Sequence, residues 1–222
     1  TSMAGKITSG WNIPTTVGSI IPRETRLVVS WGYPVEWSWV LNSKAGGHSK
    51  YRELQMLHGA SVSCPEVTSS RPVDISGWVP RDWSHYGGLD IVRLLKGNGS
   101  PAYWTKFIPT KQEFRVHVFG GVAIRWAEKI KVERNAHPWI HSSHFGWDFA
   151  YGVDCSQKAK REAEKAVIAV GYNFGAVDVG IMADGSPMVF EVNSAPGMGP
   201  LTQQSYAQYI ANYYERNSPG LS

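Results

Sequence analysis

Cysteine is scarce in this chain, and the two residues present, Cys64 and Cys155, lie far apart in the sequence. Neither belongs to a CxxC pair, so the chain lacks the spacing of a disulfide framework or of a cysteine-based zinc site. We expect both thiols to be reduced, as is usual inside the cell.

Long hydrophobic runs are also missing. No stretch of the sequence has the length and apolarity that a membrane-spanning helix requires. The first residues lack the apolar core of a signal peptide as well. We therefore expect a cytoplasmic protein without a membrane partner.

No basic run is long enough to suggest a nucleic-acid-binding tail. The net charge of +4 and the isoelectric point near 9.0 nevertheless favour an anionic partner, which is a nucleotide, an acidic peptide or nucleic acid. Hydrophobic residues make up 42% and charged residues 18% of the 222 positions. This composition is typical of a globular protein, and the length allows one large domain or two small lobes.

A β-hairpin is predicted where an Asp-Gly pair separates the apolar runs 176–182 and 188–192. Asp178 lies in the first run. Glu191 and Asn193 lie two residues apart in the second, so their side chains point to one face of the strand. Three oxygen donors at one place suit a hard cation such as Mg²⁺.

The alternative is that Asp178 and Glu191 are solvated residues on an exposed strand. Both have apolar neighbours on either side, and an unpaired carboxylate is costly to bury in such surroundings. A bound cation removes that cost, so the sequence favours the metal site.

A glycine loop is predicted in the stretch 77–94, where Arg81 is followed by Gly87 and Gly88. Glycine lets backbone N–H groups approach an anion closely, and arginine adds a fixed positive charge. We predict a strand on each side of this loop, the second over residues 89–94. From these residues alone a plain hairpin turn is the favoured interpretation, because a Gly-Gly pair is a weak signal and the pattern is not a P-loop signature.

Strict alternation over residues 113–119 predicts a strand with Glu113, Arg115 and His117 on one face. The next strand, over 122–132, carries alternating basic residues that face either a phosphate or solvent: Arg125, Lys129 and Lys131.

Three histidines follow, His137, His141 and His144, and their spacing of four and three residues is compatible with a metal site. Pro138 argues against a helix that would bring all three together. We therefore favour a role other than zinc binding for them.

Helices are predicted from His48, over 157–170 with Ser156 as N-cap, and after Pro200 with Thr202 as N-cap. Further short strands are predicted over the apolar runs 26–30, 61–64 and 102–108.

The order of these motifs resembles that of the ATP-grasp superfamily. The similarity rests on the helix before Gly-Ala-Val-Asp-Val, on Phe-Glu-Val-Asn-Ser-Ala-Pro-Gly after the hairpin, and on Glu-Phe-Arg in the preceding strands. It is greatest for short single-domain members found in tailed phages. The resemblance implies an α+β fold in which two lobes with antiparallel sheets grip a nucleotide. The implied boundaries are a short N-terminal segment (1–40), an N-terminal lobe (41–108), a C-terminal lobe (109–216) and a tail (217–222).

The resemblance also implies roles for individual residues. Asp178, Glu191 and Asn193 would hold one or two Mg²⁺ ions, for which Mn²⁺ could substitute. Arg115 and Lys129 would face the transferred phosphoryl group. His141 and His144 stand near the place, before Gly146, where the family often has an arginine and an asparagine, and Lys106 stands where an acidic residue is common. The remaining expected contacts to ATP are with the phosphates (Lys50, Arg81), the phosphate lid (Gly87, Gly88) and the adenine (Thr105, Lys106, Phe107, Ile108).

The implied activity is ATP- and Mg²⁺-dependent ligation of a carboxylate to an amine through an acyl phosphate, with release of ADP and phosphate. Small molecules or peptides would supply both groups. A homodimer is an open alternative to a monomer. Two alternatives stay open: a kinase of the same fold that phosphorylates a hydroxyl, and a non-catalytic module that binds single-stranded nucleic acid through basic and aromatic side chains.

Overall fold

The structure is a computed structural model that describes residues 27–38, 40–83 and 87–217. The predicted segment 1–40 and the tail therefore lie partly outside the described residues. None of the described helices combines the length and the hydrophobicity of a membrane span. The elements in chain order are α1 (Lys50–Gly59), β1 (Val67–Thr68), β2 (Trp78–Arg81), α2 (Leu89–Leu95), β3 (Tyr103–Lys106), β4 (Gln112–Phe119), β5 (Val122–Lys131), a 3₁₀ turn (Ser143–Phe145), β6 (Trp147–Ala150), α3 (Gln157–Ala169), β7 (Phe174–Ile181), β8 (Pro187–Asn193) and α4 (Pro200–Asn217).

The strands form two antiparallel sheets. The first has three strands in the order β1-β3-β2, and the second has five in the order β6-β5-β4-β7-β8. Helices and antiparallel sheets together give the mixed α+β fold that the sequence predicted. The predicted strand pair over 113–132 and the 176–192 hairpin are also confirmed.

The larger core lies between the five-stranded sheet and α3. One face of β4 contributes Phe114, Val116 and Val118, and α3 contributes the small residues Ala159 and Ala163; all five are at most 2% exposed. Alanine lets the helix approach the sheet closely, and Ser156 caps α3 as predicted, by accepting a hydrogen bond from the backbone N–H at position 159.

A second core joins the N-terminal part of the described chain to α4. Phe119 and Phe174 stack at 5.7 Å between ring centroids, and Tyr206 and Ile210 of α4 pack against them. Trp31 closes this cluster at 5.0 Å from Phe174. Helix α4 is thus held by aromatic packing against strands β4 and β7.

Four local predictions are wrong. Residues 89–94 form helix α2 and not a strand, because Ile91 and Leu94 are three residues apart and both buried. Residues 61–64 form no strand, since Ser61 lies in a turn with a positive φ angle and residues 62–64 have no regular structure. Residues 27–30 contribute only an isolated bridge, Val29 to Leu41. Helix α4 begins at Pro200, so Thr202 lies inside it and is not its N-cap.

Candidate active site

One cavity of about 720 Å³ is bordered by both sheets. Ligand sites in proteins commonly have volumes of about 300–1,000 Å³, so the cavity can admit a nucleotide. Every residue that the sequence singled out for metal, nucleotide or phosphoryl contact lines it: Lys50, Arg81, Gly87, Gly88, Thr105, Lys106, Phe107, Ile108, Arg115, Lys129, Asp178, Glu191 and Asn193.

The β7–β8 hairpin brings the three expected metal ligands to this cavity. Asp178 and Glu191 are direct cross-strand partners, and Asn193 pairs with Ala176 two residues along the ladder. A bulge shifts the register after Asp178 and leaves Phe190 as the extra residue. Bulges redirect side chains, and here Phe190 and Glu191 both line the cavity although they are consecutive.

Asp178 is the centre of a buried charge cluster. Its Oδ1 accepts from Arg115 Nε at 2.8 Å, and its Oδ2 accepts from Arg115 Nη2 and from Lys129 Nζ, each at 2.9 Å. Burial alone would raise the pKa of the Asp178 carboxyl, but these two cations hold it well below its usual range. The same carboxylate raises the pKa of Lys129 against the opposing effect of burial. Both groups are therefore charged at neutral pH.

Lys129 also donates to Glu113, and the other oxygen of Glu113 lies 2.7 Å from Nδ1 of His141. The His141 ring packs against Trp147 at 3.9 Å between centroids. Glu113 was not among the predicted site residues, although the alternating pattern places it on the same face of β4 as Arg115. Glu113 thus links Lys129 to the loop that follows β5.

Lys50, at the start of α1, forms a second charge cluster. Its Nζ lies 3.2 Å from Glu191 Oε1 and 3.0 Å from Glu53 Oε2, and it donates to the carbonyl oxygen of Val192 at 2.6 Å. Burial opposes the charge on Lys50, but Glu191 and Glu53 raise its pKa. Burial likewise favours the neutral form of Glu191, and Lys50 lowers the pKa of that carboxyl instead.

The glycine loop and Arg81 form the side of the cavity that faces the β5–β6 loop. Arg81 Nε lies 3.3 Å from Asp90 Oδ2, so the first turn of α2 positions its guanidinium. Gly87 and Gly88 both have positive φ angles, and a Cβ on Gly87 would lie 2.4 Å from the His144 ring. Ser142 Oγ donates to the Gly87 carbonyl oxygen at 2.6 Å. Glycine is therefore required at Gly87 both by the backbone conformation and by the close approach.

The expected adenine segment runs along β3 and beyond it. The backbone N–H of Lys106 donates to the Glu66 carbonyl oxygen at 2.9 Å, and the backbone N–H of Phe107 donates to the Gly77 carbonyl oxygen at 2.8 Å. The Lys106 ammonium lies over the Trp78 ring, 5.1 Å from its centroid. The two backbone N–H groups and the Lys106 side chain are therefore engaged within the protein.

The histidines do not gather into one centre. His141 contacts Glu113, His137 packs at 4.8 Å from Trp139, and His144 lies against Gly87. Over residues 27–38, 40–83 and 87–217, no group of three histidine, cysteine, aspartate or glutamate side chains has metal-binding geometry. The expected Mg²⁺ site is not a group of this kind, because its third oxygen donor is the amide side chain of Asn193.

The oxygen donors at the hairpin fit a hard divalent cation. An ionised carboxylate offers about four lone-pair positions, and Asp178 uses three of them for its N–H donors. Glu191 and the carboxamide of Asn193 line the same cavity. Mg²⁺ is usually held by one or two carboxylates with phosphate and water completing its shell, so these residues suit it.

No protein-family model and no curated protein sequence matches the chain. Among solved structures it is similar to the ATP-grasp ligase PsnB complexed with minimal precursor, with a TM-score of 0.57 and 14% identity over 81% of this chain and 65% of PsnB. It is similar to the D-cycloserine synthetase DcsG, with a TM-score of 0.55 and 19% identity over 75% of this chain and 70% of DcsG.

A further similar structure is the D-alanine–D-alanine ligase from Bacillus anthracis, with a TM-score of 0.54 and 13% identity over 76% of this chain and 67% of that ligase. The chain therefore has the ATP-grasp fold, as the motifs in its sequence implied. It spans less than two thirds of the length of PsnB.

Proposed function

We propose that this protein is an ATP- and Mg²⁺-dependent ligase that joins a carboxylate to an amine. One observation carries the proposal: on an ATP-grasp fold, all the residues expected to contact metal, nucleotide and phosphoryl group line a single cavity. A solvated strand face would have left Asp178 exposed, whereas it is 5% exposed and bonded to two cations.

The reaction needs ATP because a carboxylate is a poor acyl donor. Phosphorylation of the carboxylate gives an acyl phosphate, which an amine can attack with loss of phosphate, and ADP is the second product. When bound by Asp178, Glu191 and Asn193, Mg²⁺ would neutralise charge on the phosphate oxygens.

The chain's own residues have two tasks in this reaction. Lys50 and Arg81 lie on the cavity wall, where their positive charges can contact the phosphates. Arg115 and Lys129 are held by Asp178 on the five-stranded sheet, so their donors are already oriented before a ligand binds. Preorganised donors of this kind stabilise developing charge without reorganising.

The proposed partners are a peptide or small-molecule carboxylate and an amine. PsnB has been solved with the precursor peptide PsnA2 and AMPPNP, which supports a peptide as one candidate. Cytoplasmic location, a homodimer, Mn²⁺ as a substitute metal and kinship with phage proteins all stay predictions.

The test is ADP release in Mg²⁺ and ATP, screened against amino acids, peptides and polyamines as donors and acceptors. We expect turnover with at least one pair, lost in both Glu191→Gln and Asn193→Ala while circular dichroism shows an intact fold. ADP release at the wild-type rate in either variant would contradict the metal assignment.

Hydroxylamine separates the ligase from the alternatives. An acyl phosphate reacts with hydroxylamine to give a hydroxamate, whereas a kinase would give a stable phosphorylated hydroxyl and no hydroxamate. Salt-sensitive binding of an oligonucleotide, with no affinity for ATP in Mg²⁺, would instead favour the nucleic-acid-binding module.

A further inference from the structure

A second, smaller cavity of about 190 Å³ adjoins the nucleotide cavity. The two share the residues Arg115, Phe149 and Gly197 in their walls, so a group bound in one lies next to a group bound in the other. The remaining walls of the smaller cavity come from His117, Ala127, Tyr151, Met198 and Gly199. On a liquid-volume basis it holds about six waters, which is room for one compact substrate group.

The hydrogen bonds of Tyr206 fix the protonation pattern of His117. Tyr206 Oη lies 3.2 Å from the Gly175 carbonyl oxygen and 3.3 Å from His117 Nδ1. A carbonyl oxygen only accepts, so the single hydroxyl proton of Tyr206 is donated to Gly175. The phenol oxygen then accepts from Nδ1–H, which leaves Nε2 of His117 with a free lone pair.

Positive charge surrounds this imidazole. Arg125 of β5 is its direct cross-strand partner, and Arg115 lies two residues away on the same face of β4. Asp178 of β7 is the opposing charge, and Tyr206 is the polar side chain that contacts it from α4. Burial first, and then Arg115, lowers the pKa of His117 to about 3. The imidazole is therefore neutral at physiological pH.

We propose that His117, through Nε2, accepts the proton that the amine loses as its nitrogen bonds to the acyl carbon. The inference rests on the ligase function proposed above. The carbon–nitrogen bond forms, the carbon–oxygen bond to phosphate breaks with its electron pair leaving on the phosphate, and the N–H proton passes to Nε2. The imidazolium then gives the proton to the departing phosphate or to water.

The composition of the cavity wall supports this assignment. Arg115 can only donate, and Ala127, Phe149 and Met198 are apolar, so the side-chain acceptors in the wall are His117 and the Tyr151 hydroxyl. Tyr151 is 46% exposed, at the open side, whereas His117 is 3% exposed. The neighbouring guanidiniums disfavour an ammonium ion, so the amine enters neutral and loses its proton only as it reacts. A triphosphate in the adjoining cavity would raise the pKa of His117 and make it a better base.

The first test is independent of activity and uses the full chain labelled with ¹⁵N-histidine. We expect the His117 resonances to show Nδ1–H with unprotonated Nε2 down to about pH 4, and its pKa to rise when AMPPNP and Mg²⁺ are added. Tyr206→Phe removes the acceptor for Nδ1–H, so the tautomer should become mixed. Protonated Nε2 in the wild-type protein at pH 7 would overturn the proposal.

The second test separates the two half-reactions in His117→Asn, whose amide N–H replaces Nδ1–H while Nε2 is lost. Hydroxamate formation should stay within about twofold of wild type, because it needs ATP and carboxylate but no protein base. Amide formation, screened with the standard amino acids as amines, should fall about 100-fold, the usual contribution of a general base. His58→Asn, the same substitution at an exposed histidine that lines neither cavity, is the control and should leave both rates near wild type.

The outcomes are distinguishable. Normal amide formation in His117→Asn, with hydroxamate still formed by the wild type, overturns the role of His117 alone. Absence of hydroxamate from the wild type with every carboxylate tried overturns the ligase function and this inference together.

Discussion

The two faces of strand β4 have opposite chemical character. On one face, Phe114, Val116 and Val118 are packed against α3 and exclude water. On the other, Glu113 and Arg115 take part in ion pairs with Lys129 and Asp178, and this face borders the cavity. Alternation of side chains thus lets one strand supply both the packing that stabilises the fold and the charges proposed for catalysis.

The two faces also contribute differently to the stability of the fold. Burial of the apolar side chains stabilises the fold by about 25 cal/mol per Å². Ion pairs in a low-dielectric site roughly offset the desolvation of their own charges. The charged face therefore adds little net stability to the fold, and the loss of one member leaves its partners as uncompensated buried charges.

The largest effect is expected from Lys129→Met on the charged face. Loss of the ammonium leaves two buried carboxylates, Asp178 and Glu113, with too few cations. Breaking a buried ion pair costs about 3–5 kcal/mol, so urea denaturation should show a loss of that size, together with loss of ADP release. Lys131→Met, two residues further along β5 and exposed, should change the free energy of unfolding by less than about 0.5 kcal/mol. Equal effects of the two substitutions would contradict the charge cluster.

Phe114→Ala on the apolar face should destabilise the protein by about 4 kcal/mol through the cavity it creates. Because this side chain points away from the site, the folded fraction should bind AMPPNP with unchanged affinity. Calorimetry below the unfolding transition would measure that affinity. A large loss of nucleotide affinity would mean that the two faces are not independent.

Acid should act mainly through the charged face. The pKa of Asp178 is lowered in the folded state, so the stability it contributes is present above its unfolded pKa of about 3.9 and is lost as the pH falls toward the folded value. We expect a loss on the order of 2 kcal/mol from this group. Urea midpoints between pH 5 and 2 should fall less steeply in Asp178→Asn than in the wild type. Parallel pH profiles would contradict the assignment.

The smallest expected effects come from two matched helix caps. Ser49 Oγ and Ser156 Oγ each accept a hydrogen bond of 3.2 Å from the backbone N–H three residues on. Substitution of either by alanine should cost about 1 kcal/mol of stability. Only Ser49→Ala should also raise the KM for ATP, because α1 begins with Lys50 whereas α3 packs on the apolar face. An equal rise in KM for both variants would remove this distinction.

Local patterns were sufficient to predict much of the fold and which side chains share the cavity. Alternation in 113–119 placed Arg115 on the cavity face, and the Asp-Gly turn between 176–182 and 188–192 brought Asp178 opposite Glu191. These predictions succeeded because short-range periodicity decides which side of a strand a residue occupies. Helix α2 was misread as a strand, since a short run rich in leucine, isoleucine and valine fits both periods.

Long-range partners could not be read in the same way. Asp90 contacts Arg81, His141 contacts Glu113, and Tyr206 contacts His117, yet in each pair the two residues are 9 to 89 positions apart. The bulge at Phe190 has no signal in the alternation either. Such contacts depend on tertiary packing, which a single sequence does not specify locally.

The most direct test of the central claim is calorimetric titration of AMPPNP into the wild-type protein and into Glu191→Gln, with and without Mg²⁺. We expect one site per chain, tighter binding in Mg²⁺ than without it, and loss of that Mg²⁺-dependent gain in the variant. Absence of nucleotide binding by the wild type, or an identical Mg²⁺ dependence in both proteins, would contradict that claim.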